Sequence, residues 1–231
     1  MHYLKLRLIR HAQSIGNTQA RMEGQTSTGL SPRGQQQASL LASRLIAPSQ
    51  ARQLPTHLYS SPLLRAAQTA TTIAKGLHSI KHPLSIRYSE ALKEIHPGIF
   101  QGLTWHEATT QYPDLCHQLM QSLAWQPVPK AESLVDARAR GQQWITELLS
   151  QHQPGDVIWA VSHAGLMIQM MSALMGCDRT WKLTIDHTAI FEFWLASTHH
   201  PTQTKTLRQN QFNPEYWILR RFNDTGHLTS N

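Results

Sequence analysis

Acidic residues are scarce. The 231-residue chain carries 14 Asp and Glu against 21 Lys and Arg, a formal charge of +7. Only 15% of residues are charged, well under the usual quarter. The positive balance therefore reflects missing acids more than added bases, and it suits an anionic partner. Basic runs and basic–aromatic interleaving are also missing, Arg220-Arg221 being too short to count, which argues against a nucleic-acid partner. The two cysteines, Cys116 and Cys177, cannot build a disulfide framework and show no metal-ligand spacing. They fit a reduced compartment. Long apolar runs are lacking too. Val157 to Val161 is short, and Leu166 to Met175 is broken by Gln169 and Ser172, so no membrane span is expected. Met1 to His11 alternates polar and apolar residues instead of forming a signal-peptide core. A cytoplasmic location is expected.

What is present alternates between strand and helix patterns. Leu4, Leu6 and Leu8 alternate with Lys5 and Arg7, a strand pattern. Asp156 to Val161 is a near-continuous apolar run, as in a central parallel strand covered on both faces. Further strands are expected at His57–Ser60, Leu84–Tyr88, Thr188–Leu195 and, at an edge, Tyr216–Arg221. Ser31-Pro32 and Ser61-Pro62 each read as a cap followed by a first-turn proline. The second of these helices is expected to stop at Gly76. Thr104–Gln111, Ser133–Gln151 and Leu166–Met175 read as helices, with Pro113 as a stop. Ala12–Gly29 and Ile95–Gly102 read as loops, and Thr198–Pro214 as a polar connector. The expected class is α/β, a three-layer α/β/α sandwich with a mostly parallel central sheet.

Two histidines share one context. His11 follows the first strand and His163 follows the most apolar one. Ligands of open α/β sheets bind beyond the carboxyl ends of strands, so the two rings can converge. A single strand-end histidine more often just bonds a nearby carbonyl; two in the same setting weaken that reading. Arg10 adjoins His11, and Arg65 lies near a helix start. A guanidinium fork fits phosphate oxygens, and helix-start N–H groups, including that of Ala164, add partial positive charge to the same rim.

Together these segments have the form of a known family. Arg10-His11-Ala12-Gln13-Ser14 with Asn17 resembles the Arg-His-Gly-[Glu/Gln]-[Ser/Thr]-x-x-Asn signature of the histidine phosphatase superfamily, the phosphoglycerate mutase-like family. Ser60 to Ala70 is similar to its second arginine motif, and Leu92 to Gly102 to its Glu-x-x-x-Gly-x-x-x-Gly acid loop. Val161 to Gly165 resembles its second histidine motif, and Asn223 to Leu228 a tail segment of its small phosphatase branch. Five motifs in order span nearly the whole chain. Ala12 and Ala164 depart from the usual Gly, and Ser27 or Thr28 stands where relatives often carry Asp.

The resemblance implies one domain over 1–231, phosphoglycerate mutase-like in fold, with a lid-like insertion at about 102–130. It implies a metal-independent phosphomonoesterase that needs no cofactor and acts on a small phosphate ester. His11 is the implied nucleophile, forming a phosphohistidine. Arg10, Arg65 and His163 surround the phosphoryl group, with Asn17 and Ala164 as further phosphate contacts. Glu94 is the implied general acid, with Glu90 and Glu107 as rivals. The lid offers Trp105, Trp125, His106 and His117 and few charges, which suits an ester less charged than a bisphosphate. Two alternatives stay open: phosphoglycerate mutase-type transfer and a non-catalytic phosphate-binding module. Family mutases carry Glu-Arg-His-Tyr-Gly at the acid loop, whereas Glu94 is followed by Ile95-His96-Pro97-Gly98, which favours hydrolysis.

Overall fold

A computed structural model describes residues 3–122, 126–177, 183–196 and 217–229. Six strands form one sheet: β1 (Tyr3–Arg10), β2 (His57–Ser60), β3 (Ile86–Tyr88), β4 (Val157–Ser162), β5 (Ile190–Ala196) and β6 (Ile218–Asp224). Their spatial order is β3-β2-β4-β1-β5-β6. The first four run parallel, while β5 is antiparallel to both β1 and β6. Every residue of β4 is buried, in keeping with its apolar run.

The period-two alternation of β1 separates two cores. Leu4, Leu6 and Leu8 face one helix layer with Phe191 and Phe193. That layer holds α6 (Leu134–Gln151) and α7 (Ala164–Leu174). Ile9 faces the other layer with Trp159 and Val161, against α2 (Pro32–Leu45) and α3 (Leu64–Ser79). The product is a three-layer α/β/α sandwich. Arg7, on the Ile9 face, is 2% exposed and pairs with Glu192 at 2.9 Å. A buried guanidinium is tolerable only with such a partner.

Ser31, Thr104 and Ser133 cap α2, α4 (Trp105–Gln111) and α6, each accepting the N–H three residues on. Other expectations need correction. α3 starts at Leu64, not at Ser61-Pro62. Its cap comes from elsewhere in the chain: Ser27 Oγ accepts Leu64 N–H at 2.9 Å. Gly76 does not end α3; it lies inside it, where a Cβ would sit 3.5 Å from Ala42 Cβ of α2. Pro113 ends α4 but also opens α5 (Pro113–Gln121), its ring filling a first-turn position where no N–H is needed. The Ala12–Gly29 loop contains a single turn, α1 (Ile15–Thr18), and the Ile95–Gly102 loop a 3-10 turn at Gly98–Phe100. The edge strand expected at Tyr216–Arg221 is β6, shifted to Ile218–Asp224. The Thr198–Pro214 connector lies outside the described residues, as do Trp125 and Trp181.

Candidate active site

β1 and β4 are the two central strands, and their register pairs Arg10 with Ser162. The next residues, His11 and His163, therefore leave the sheet side by side. Their ring centroids are 4.9 Å apart.

His11 is 3% exposed. Its Nδ1 lies 2.7 Å from the Ala12 carbonyl. A carbonyl only accepts, so Nδ1 carries the proton and Nε2 keeps its lone pair. Arg65 Nε donates to that Nε2 at 3.3 Å, consistent with the same tautomer. Burial, then the Arg65 and Arg10 charges, push the His11 pKa well below 6.5. The free site thus holds a neutral imidazole whose Nε2 lone pair accepts the Arg65 N–H. Neither Ala12 nor Ala164 has a positive φ, so Ala in place of Gly carries no strain at either position.

His163 caps α7 and is fully buried. Its Nε2 lies 2.8 Å from Ser61 Oγ, and its Nδ1 has no partner among the described residues. Burial and the neighbouring His11, Arg65 and Arg10 hold its pKa well below 6.5. In the free site it is a neutral hydrogen-bonding ring rather than a fixed cation.

Arg65 sits in the first turn of α3, 1% exposed. Nη1 donates to Thr26 O and Nη2 to Gly24 O, both at 2.7 Å. Arg10 Nη1 donates to Ile185 O, and its buried Nε–H has no partner among the described residues. Ala164 is the first residue of α7. Glu94 reaches the same helix start: Oε2 accepts Gly165 N–H at 3.1 Å, and Oε1 accepts Leu166 N–H at 3.0 Å. Gly165 permits this approach, since a Cβ there would lie 2.7 Å from Oε1. The rival acids are elsewhere. Glu90 is solvent-facing beside Lys93, and Glu107 pairs with Arg21 at 2.8 Å.

Asn17 faces protein groups on both sides. Its amide N–H donates to Glu23 Oε2 at 2.9 Å, and its oxygen accepts from Ser14 N and His187 Nε2. Sequence reasoning assigned no role to two of these neighbours. Glu23 is 6% exposed, accepts from Ser14 Oγ, Asn17 and Thr28, and stands 3.9 Å from Arg65 Nε. A lone Glu in a polar loop gives no spacing signal. His187 has its ring 6.0 Å from that of His11, and burial with Arg10 nearby pulls its pKa down to about 4. It precedes β5, which is antiparallel, so the start of β5 lies at the same edge as the ends of β1 and β4. The sequence pattern of Thr188–Leu195 carries no sign of strand direction, so His187 gave no signal.

Two neutral imidazoles 4.9 Å apart, with the buried Arg65 and the Arg10 guanidinium beside them, make a set of groups suited to receiving a phosphoryl group. Residues 6–209 match the histidine phosphatase superfamily (branch 1), and the chain belongs to that family. The chain is 30% identical to phosphoserine phosphatase 1 of Hydrogenobacter thermophilus over 188 residues, 80% of this chain and 84% of the relative. It is 25% identical to a metal-independent phosphoserine phosphatase of Arabidopsis thaliana over 223 residues, 96% of this chain and 82% of the relative. Among solved structures, a mycobacterial glucosyl-3-phosphoglycerate phosphatase complexed with VO3 superposes with a TM-score of 0.74 at 25% identity, covering 95% of this chain and 99% of that one. The chain is accordingly a phosphoric monoester hydrolase of the histidine phosphatase type. Among the described residues, no helix is long and apolar enough to cross a membrane.

Proposed function

We infer that the protein hydrolyses small phosphate monoesters through a phosphohistidine on His11, without a metal ion. The observation that carries this is the His11 ring, with Nδ1 tied to a carbonyl and the Nε2 lone pair turned toward the Arg65 guanidinium. Nε2 attacks phosphorus in line as the ester P–O bond breaks. Arg10, Arg65, Asn17, the Ala164 N–H and His163 receive the phosphoryl oxygens, and their donors match the charge that develops there. A bound dianion favours protonation of His163, which then adds a full charge. Glu94 gives its proton to the leaving alkoxide. As a carboxylate it then takes a proton from water, which attacks phosphorus, forming the new P–O bond as the P–N bond breaks, releasing inorganic phosphate and restoring His11.

The 102–130 segment acts as the lid that selects the substrate. It is built as a helical pair, α4 and α5, closed over Phe100, Ala108 and Cys116. Arg21 ties it to the loop after α1 through Gly102 O and Glu107. Trp105 at its head is 42% exposed. His106 and His117 also face solvent. The relatives named for phosphoserine and glucosyl-3-phosphoglycerate put carboxylate-bearing monoesters first among substrates to assay. The test is release of inorganic phosphate from an aryl phosphate, phosphoserine and 3-phosphoglycerate in metal-chelated buffer. Phosphate release with a trapped phosphohistidine supports the reading. Isomerisation of 3-phosphoglycerate without phosphate release, or binding without turnover, overturns it.

A further inference from the structure

The opposite edge of the sheet holds a second group of histidines that the hydrolytic site does not use. His57 is the first residue of β2, His152 is the C-cap of α6, and Asp156 directly precedes β4. One ring nitrogen from each histidine and a carboxylate oxygen of Asp156 lie within 4.8 Å of one another. β4 separates this cluster from His163, six residues at about 3.3 Å each, so it stands roughly 20 Å from the phosphoryl pocket. We propose that His57, His152 and Asp156 form a binding site for a Zn2+-class divalent cation that clamps the ends of β2, α6 and β4 together.

The spacing suits ligands that share one ion. His152 Nδ1 lies 3.5 Å from Asp156 Oδ2. Two ligands on a tetrahedral zinc, each at about 2.0–2.1 Å, stand about 3.3–3.4 Å apart. The other nitrogen of His152, Nε2, lies 2.9 Å from the Tyr59 hydroxyl. If Nε2–H donates there, Nδ1 presents its lone pair toward the carboxylate, an arrangement that a cation between them stabilises. Metal-ligating histidines commonly have their far nitrogen fixed in this way. The His57 ring is held through Nδ1 by Thr56 Oγ1 at 2.9 Å, and Asp156 Oδ2 accepts Gln153 N–H at 3.0 Å. Gly155, at φ +104, makes the turn that returns Asp156 to His152. The rings lie edge to face with centroids 4.2 Å apart. Two imidazoles and one carboxylate suit Zn2+ or Co2+, whereas Mg2+ and Ca2+ prefer all-oxygen shells. Water would complete the shell.

The test uses the full chain, stripped of metal, titrated with ZnCl2 by calorimetry and with CoCl2 by visible absorption. Wild type is expected to take up one Zn2+ per chain, to show Co2+ ligand-field bands and to melt at a higher temperature with Zn2+. The His57→Gln/Asp156→Asn double variant should lose at least ~10-fold in affinity, and Tyr59→Phe roughly 10-fold through the freed tautomer. Circular dichroism and aryl phosphate turnover, read at the far site, report whether each variant is folded. Should the double variant destabilise the chain, His57→Gln alone gives the same affinity readout. Absence of wild-type binding overturns the proposal. So does unchanged Zn2+ affinity in the folded double variant, which would place the ion on other histidines.

Discussion

Replacing Arg65 with Lys separates the two tasks of this side chain. A guanidinium has five N–H donors. In the free site one points at His11 Nε2, one at Thr26 O and one at Gly24 O, leaving two Nη hydrogens for phosphoryl oxygens. Lysine keeps the charge but is a point donor, and it cannot span both carbonyls while also facing His11. Each buried carbonyl left without its donor costs ~1–3 kcal/mol, so stability should fall by roughly 2–4 kcal/mol once the loop relaxes. Losing the fork to the transition state should lower kcat by ~10²–10³-fold, the effect of removing one preorganised donor from developing charge. Urea unfolding measures the first quantity. Steady-state turnover of an aryl phosphate, in buffer where the variant is fully folded, measures the second. A folded Arg65→Lys enzyme within a few-fold of wild-type kcat would show that the fork does not meet the phosphoryl group.

Four further outcomes are expected. His11→Ala should abolish both turnover and phosphohistidine trapping, as quench-flow with labelled substrate would read; substantial remaining turnover contradicts the nucleophile assignment. Glu94→Gln should slow alkyl phosphate hydrolysis by ~10²–10⁴-fold. It should affect the first step less for aryl esters, whose leaving groups need no proton, so phosphoenzyme should accumulate. EDTA should leave kcat unchanged, and a loss restored by added metal would refute the metal-independent route. His227 is 4% exposed, bonded to Thr188 Oγ1, with its pKa pulled to about 4 by burial first. A depressed histidine pKa gives full stability above about pH 6.5 and loses it as pH falls toward 4. Allowing for screening, His227→Gln should flatten the stability change between pH 7 and 5 by ~1 kcal/mol in denaturant titrations.

The layers and the meeting of His11 with His163 were legible in the sequence because those features rest on local pattern. Leu4, Leu6 and Leu8 alternate, Ser31 and Ser133 cap helices, and His11 and His163 follow strands. What stayed hidden depends on residues distant in sequence. Ser27 supplies the cap of α3, so the start at Leu64 carries no local sign. Gly76 reads as a stop but is a contact point between α2 and α3. Arg7 reads as a polar position of an alternating strand, yet it is buried and β5 delivers Glu192 beside it. Glu23 and His187 join the site only through loops folded against it.

The place of β1 in the sheet bears on how the protein is made. During synthesis β1 emerges first, yet its two neighbours are β4 and β5, encoded about 150 residues later. At ribosomal speeds of about 5–20 residues per second, Leu4, Leu6 and Leu8 wait roughly 10–30 s for a partner. Through that interval the nascent chain carries an unmatched apolar strand, and the two imidazoles have not met. The paired imidazoles therefore arise only after β4 is made, and holdase chaperones have a defined stretch to shield until then.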